Sequence, residues 1–286
     1  MENNNNKESI MLSAQDYALG ATQSFALPEI CVQIRSLLDS NNASTDDIAK
    51  LVSTDPALSS KLLQLANSAL FRFESQVDNI SKAVNVVGGE ALYNLVMAET
   101  ACSAFEHFSS DVIDLKRFWL QSIYAALVAK HLAKIAKTRT SARFFVIGLL
   151  HNIGELIVAV QTPALAIACN QYDPQIPPWK RQKSVLGFHY TDCTYALLQQ
   201  WGLPSHLYQV LPNTNNESAA YTSQEASLMF TIYRIAIAMV APENMSPLSS
   251  IHPLILRKAG LEEQDITDGI KFAHMEAQTM IGLLKG

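Results

Sequence analysis

Apolar residues recur along this chain at helical spacing, and no credible alternating strand pattern competes with them. That restricts the fold class to all-α. In residues 28 to 39, Pro28 stands at an early helical position and Ile30, Ile34, Leu37 and Leu38 share one stripe. Ser44 followed by Asp47 forms a capping box with Asp in place of Glu and predicts a helix ending near Ser53. Asp55 is then a suitable N-cap and Pro56 a first-turn residue for a helix running to Leu70. Asn67 and Ser68 fall near its end, where short polar side chains bond backbone groups. Gly88-Gly89 punctuates the next short helix, and residues 90 to 107 resume the period. From Asp114 a second group begins, in which residues 115 to 137, 141 to 160, 180 to 200 and 223 to 241 are long and apolar enough for a bundle core. Pro174, Pro177 and Pro178 mark a loop, Leu211 to Tyr221 is expected to be an exposed loop, and a helix from about Leu261 to Leu284 closes the chain.

Composition narrows the class further. With 286 residues, 49 % hydrophobic and 16 % charged, the chain suits many packed helices with limited exposed charge. Cysteines 31, 102, 169 and 193 form no CxxC and no metal-ligand spacing, as expected of reduced core thiols in a cytoplasmic protein. Met1 to Lys7 is a polar asparagine run without signal-sequence character, and no apolar run is expected to reach membrane-spanning length, so no membrane is expected. A net charge of -5 argues against nucleic acid as a partner, since such binding needs a basic face. The basic cluster Lys130, Lys134, Lys137, Arg139 and Arg143 lies at and beyond a helix end, where cations meet the helix dipole favourably.

The chemistry concentrates in Gly148-Leu149-Leu150-His151-Asn152-Ile153-Gly154-Glu155-Leu156. It is an apolar segment carrying a histidine where a hydrolase would place a His-Asp metal pair. Here the Asp is Asn152, and a neutral amide cannot offset a divalent ion's charge. The segment resembles the signature of the HD superfamily of metal-dependent phosphohydrolases. Further blocks resemble its HDOD subfamily: Leu27-Pro28, Asp55 to Leu63 running into Ala66-Asn67-Ser68-Ala69, Ile80 to Val84 before Gly88, and His189 leading into Ala196-Leu197-Leu198 and Trp201-Gly202-Leu203-Pro204. The resemblance covers roughly residues 25 to 240.

What it implies about a metal site does not carry over. The first expected histidine, on the helix after Phe118-Trp119, falls at about Gln121, with Ser122 beside it. The His-Asp pair is His151-Asn152, and the lysine three residues on is Glu155. The paired histidines fall near Pro212-Asn213 and the last aspartate at about Ile237. One or two ligands do not hold a catalytic ion, so neither a metal nor a cofactor is expected. Glu155 lies one helical turn after His151 and could share a metal or a hydrogen bond with it; a satisfied structural pair is the commoner outcome. His189 and Asp192 have similar spacing with no acidic cluster beside them. The histidines at 107, 131, 206, 252 and 274 show no mutual spacing.

The expected architecture is a two-lobed helical bundle. A polar N-terminal segment covers 1 to 20, an HDOD-like domain 21 to 240 and a C-terminal helical extension 241 to 286. Within the domain an N-terminal lobe spans about 25 to 110 and an HD-like core about 114 to 240. Gln121, His151, Asn152, Glu155 and His189 are expected to meet as a metal-free vestigial pocket. The resemblance implies a non-catalytic regulatory or interaction module in bacterial signal transduction, taking a protein partner or a small-molecule signal. The alternative it leaves open is a metal-dependent phosphohydrolase acting on a nucleotide or cyclic nucleotide. The oligomeric state is not readable from the sequence.

Overall fold

The computed structural model describes residues 12–25, 29–39, 44–67, 77–105, 108–138, 142–171, 173–241 and 245–285. Pro28, Ser68 to Leu70, His107 and Arg139 lie outside them. All regular structure among the described residues is helical. The first group is α1 (Ala14–Ser24), α2 (Glu29–Asp39), α3 (Thr45–Ser53), α4 (Pro56–Ala66), α5 (Ile80–Val87) and α6 (Gly89–Ser103). The second runs through α7 (Leu115–Ile135), α8 (Ala142–Leu150), α9 (Ile153–Gln161), α10 (Pro163–Asn170), α11 (Pro178–Leu186), α12 (Tyr190–Gln200), α13 (Glu217–Thr222), α14 (Gln224–Val240), α15 (Pro253–Ala259) and α16 (Glu263–Lys285). Two 3-10 turns, Ser205–Leu207 and Leu211–Asn213, follow α12.

Local chemistry sets several boundaries as the sequence dictates. The Ser44 hydroxyl accepts from Asp47 N–H while the Asp47 carboxylate accepts from Ser44 N–H at 2.9 Å, which closes the capping box. Asp55 Oδ1 accepts from the N–H groups of Ala57 and Leu58, both at 3.0 Å, and so starts α4. Asn67 does more than finish that helix. Its amide donates to Leu63 O at 2.8 Å and Val77 O at 2.6 Å and accepts from Val77 N–H at 2.8 Å, which staples the helix end to the chain ten residues on.

The core of the second group is built on α7, which packs against α8, α14 and α16. Residues 121 to 129 of α7 are all buried, which suits a helix covered on every side. Helix α9 lies against α10, α12 and α1, and α6 against α8, so one contiguous apolar cluster runs through both groups. The C-terminal extension is part of this bundle. Ile266, Ala273, Ala277 and Met280 form the buried stripe that lays α16 on α7.

Four sequence expectations need correction. The segment 141 to 160 is not one helix, because the chain breaks at His151-Asn152 between α8 and α9. Residues 180 to 200 likewise split into α11 and α12 at Gly187, which takes a left-handed C-cap (φ 79°) that favours glycine. Leu211 to Tyr221 is no exposed loop: it holds a 3-10 turn and α13, with Leu211, Thr214 and Ala220 buried, because short side chains there pack against α14. The polar 1 to 20 segment turns helical from Ala14, and α1 buries Ala14, Tyr17, Ala18 and Ala21 against α9 and α12. Arg143–Gln161 has the length and apolar composition of a membrane span, but it is interrupted at His151-Asn152 and 89 % of it is buried within the fold.

Two glycines allow the helices around the break to approach closely. A Cβ on Gly148 would stand 2.6 Å from Ala125 O of α7, and one on Gly154 would stand 2.1 Å from Tyr190 O of α12. Both obstacles are backbone and cannot swing aside. Gly154→Ala should therefore destabilise the chain by about 1–3 kcal/mol, as overpacking does; denaturant unfolding of the variant with an unchanged midpoint would show that the helices are not in this contact.

Candidate functional site: a filled polar pocket around His151

His151 is fully buried at the break between α8 and α9. Its Nδ1 lies 2.6 Å from Gly148 O, and a carbonyl can only accept, so Nδ1 carries the proton. The other nitrogen, Nε2, is left as an acceptor facing the Gln121 amide of α7 at 3.5 Å. Burial pushes the imidazole pKa down to about 4, with the Gly148 bond opposing in part. The ring is therefore neutral near pH 7. Tyr233 of α14 stands edge to face on it at 5.5 Å between centroids.

Asn152 and Glu155 make a second set of contacts beside the first. Asn152 Nδ2 donates to Glu155 Oε2 at 2.5 Å, while Oε1 accepts from Asn170 Nδ2 at 3.1 Å and from Arg117 Nη2 at 3.0 Å. The carboxylate, 3 % exposed, thus has both oxygens engaged by three protein donors from α7, the break and α10. Arg117 is 36 % exposed and connects the buried carboxylate to the surface.

Four of the five expected site residues meet here, as the pairs Gln121–His151 and Asn152–Glu155. His189 does not join them: its Nδ1 lies 3.2 Å from Asp192 Oδ2, and Asp192 also takes the His189 N–H at 2.8 Å. Its place as the residue before α12 explains this, because a carboxylate in a first helical turn is drawn to the free N–H groups there. Asn213 and Pro212 stand in a 3-10 turn. Ile237, near which the last aspartate was expected, packs against Trp179 and Tyr233 in a small apolar cluster.

Sequence reasoning missed Tyr233, Arg117, Asn170 and Gln182. Gln182 Nε2 donates to Tyr233 Oη at 3.4 Å while its Oε1 accepts from Tyr190 N–H at 3.1 Å, so one buried amide fixes both tyrosines. Burial pushes the Tyr233 phenol up to about 12, and it stays protonated. The residue that α14 presents to His151 is thus a bulky neutral ring one turn before the position where a carboxylate was sought.

These residues do not fit a divalent metal. An ion at His151 Nε2 would meet one imidazole nitrogen, neutral amides and a phenol, and Glu155 already serves three donors. Among the described residues no three His, Cys, Asp or Glu side chains gather at metal-binding spacing.

A helical bundle with a buried histidine at such a helix break has the architecture of the HD superfamily. The HDOD domain pattern matches residues 25–217, and the chain belongs to the HDOD domain family. An uncharacterised protein of Treponema pallidum is 30 % identical over 181 residues, and the chain spans 35 % of that relative's length. Among solved structures, a phosphohydrolase candidate from Shewanella amazonensis is 25 % identical, with a TM-score of 0.69 over 94 % of this chain and 98 % of that one. A candidate signal transduction protein from Marinobacter aquaeolei has the same fold at 20 % identity, with a TM-score of 0.68 over 96 % of this chain and 66 % of that one.

Proposed function

We propose that this HDOD domain is a non-catalytic regulatory or interaction module in bacterial signal transduction, acting in the cytoplasm on a protein partner or a small-molecule signal. The observation that carries this reading is the state of Glu155. In a hydrolytic site a carboxylate beside the histidine would be kept for an ion or a water. Here it is bonded to Arg117, Asn152 and Asn170, and Tyr233 occupies the space next to His151. These contacts hold helices α7, α9, α10 and α14 in one arrangement, with Asn152 Oδ1 left buried and unpaired, and a fixed arrangement is what a recognition surface needs. The Marinobacter aquaeolei relative, described as a candidate in signal transduction, accords with this reading.

Metal-assisted hydrolysis needs an ion to activate water and stabilise phosphoryl oxygens. The purified chain is therefore expected not to turn over phosphomonoesters, nucleotides or cyclic dinucleotides with added magnesium, manganese or iron. Asn152→Asp alone should not confer activity, because Gln121 and Ile237 remain without ligand atoms of the required kind. Metal-dependent turnover by the natural sequence, abolished by His151→Ala, would overturn the proposal.

A further inference from the structure

Outside the His151 cluster, the structure holds a second buried charge that no carboxylate meets among the described residues. Arg234 of α14 is 3 % exposed, with its guanidinium carbon 4.3 Å from the Trp179 ring centroid and 3.1 Å from that of Phe230. Two aromatic rings thus pack on the guanidinium. Its Nη1 donates to Thr214 O at 3.3 Å and Phe230 O at 3.0 Å. Its Nε–H is buried without a partner, while Nη2 is not among the solvent-shielded unpaired atoms. The Nε–Nη2 edge is the side of a guanidinium that matches two oxygens of one anion. Among the described residues no carboxylate stands within ion-pair distance of Arg234, and Glu217 acts on it only at longer range.

The surroundings have the same deficit. The Thr214 hydroxyl, both amide atoms of Asn215 and the Thr231 hydroxyl are shielded from solvent and have no hydrogen-bond partner. Thr231 precedes Arg234 by three residues and shares its helix face, while Thr214 already touches the guanidinium through its carbonyl. Unmet buried donors and acceptors are costly in a dry interior, about 1–3 kcal/mol each, and these four residues lie on one turn of α14 and on the loop that the Arg234–Thr214 bond ties to it. A single ligand rich in acceptors would meet these needs together.

We propose that Arg234, Asn215, Thr214 and Thr231 form a binding site for an oxyanion, the phosphate or carboxylate group of a small acidic ligand. The anion accepts from Nε–H and Nη2–H of Arg234, from the Asn215 amide and from the two hydroxyls, and Trp179 reports on it because it covers the guanidinium. The site lies on α14 and the turn before α13, and its free arginine edge needs no metal. Its proposal goes beyond the regulatory reading and does not depend on it: turnover would overturn that reading alone, and absence of anion binding would overturn this one alone.

The test is titration of the full chain with inorganic phosphate and, separately, with acetate, in the presence of EDTA and at ionic strength held constant with chloride. Saturable change in tryptophan fluorescence is expected with at least one of the two, phosphate or acetate identifying which anion class is taken. Arg234→Gln and Asn215→Ala should each weaken it by about tenfold or more, as loss of a charge-assisted pair does. Trp179→Phe should remove most of the optical signal while calorimetry still finds binding. If Arg234→Gln does not fold, Asn215→Ala and Thr214→Val carry the test. No saturable response to either anion by the folded natural chain would overturn the proposal, as would a response untouched by the variants that fold.

Discussion

Glu155→Ala is expected to lower the unfolding free energy by about 3 kcal/mol or more, among the largest effects of any single change around His151. The sum follows from who loses a partner. Asn152, 1 % exposed, would keep its amide buried without an acceptor, and the vacated carboxyl would leave a cavity between α9 and α10. Asn170 loses its bond as well, although that residue is exposed and can turn to water. Arg117 contributes little to the loss, because it is 36 % exposed and its charge can be solvated. Glu155→Gln, which keeps one acceptor oxygen and the shape, should cost less, about 1–2 kcal/mol. Urea unfolding of the two variants measures both. Equal midpoints for Glu155→Ala and the natural chain would mean that the carboxylate is not the hub of the cluster.

The second large effect is a loss of stability in mild acid. The His151 pKa falls from its ordinary 6.5 to about 4 in the folded chain because the buried ring cannot be charged without losing water. Between those values the unfolded chain binds a proton that the folded chain does not, so stability falls as pH drops below about 6.5 and this loss is complete below about 4. Its size is about 3 kcal/mol. Unfolding free energies measured from pH 7.5 to 4 should show this slope, and His151→Leu should flatten it. Equal slopes for the natural and His151→Leu chains would place the imidazole in contact with water.

What could be read in the sequence and what could not divides along contact distance. Ser44 with Asp47, and Asp55 with Pro56, act within one helical turn, so their helix starts follow from residue type and spacing. The amides of Gln121 and Asn152, at positions where the resemblance implies metal ligands, are likewise recognisable from residue type alone. The break at His151-Asn152 was not legible. Gly148 to Leu156 reads as one apolar helix, and only the close approach of α7 and α12 at Gly148 and Gly154 shows how two helices fit there. The partners of Glu155 escaped for a related reason: Arg117 is 38 residues away in the chain, and Asn170 is 15 away across a helix that the sequence did not announce. Tyr233 was passed over because α14 is buried nearly all round, and a helix without a polar face gives no sign of which residue faces a site. His189 shows the converse, a residue with ligand chemistry that its own helix start engages through Asp192.

The claim that the histidine pocket is filled by protein groups and holds no catalytic ion is tested most directly by metal binding. The apo-protein, dialysed against a chelator and titrated calorimetrically with manganese and with ferrous iron, is expected to show no saturable binding that His151→Ala removes. Elemental analysis of the protein as purified should agree, with no transition metal in proportion to chain. One ion per chain, bound tightly and lost in His151→Ala, would contradict the account, because it would require Glu155 to leave Arg117, Asn152 and Asn170 and the pocket to open.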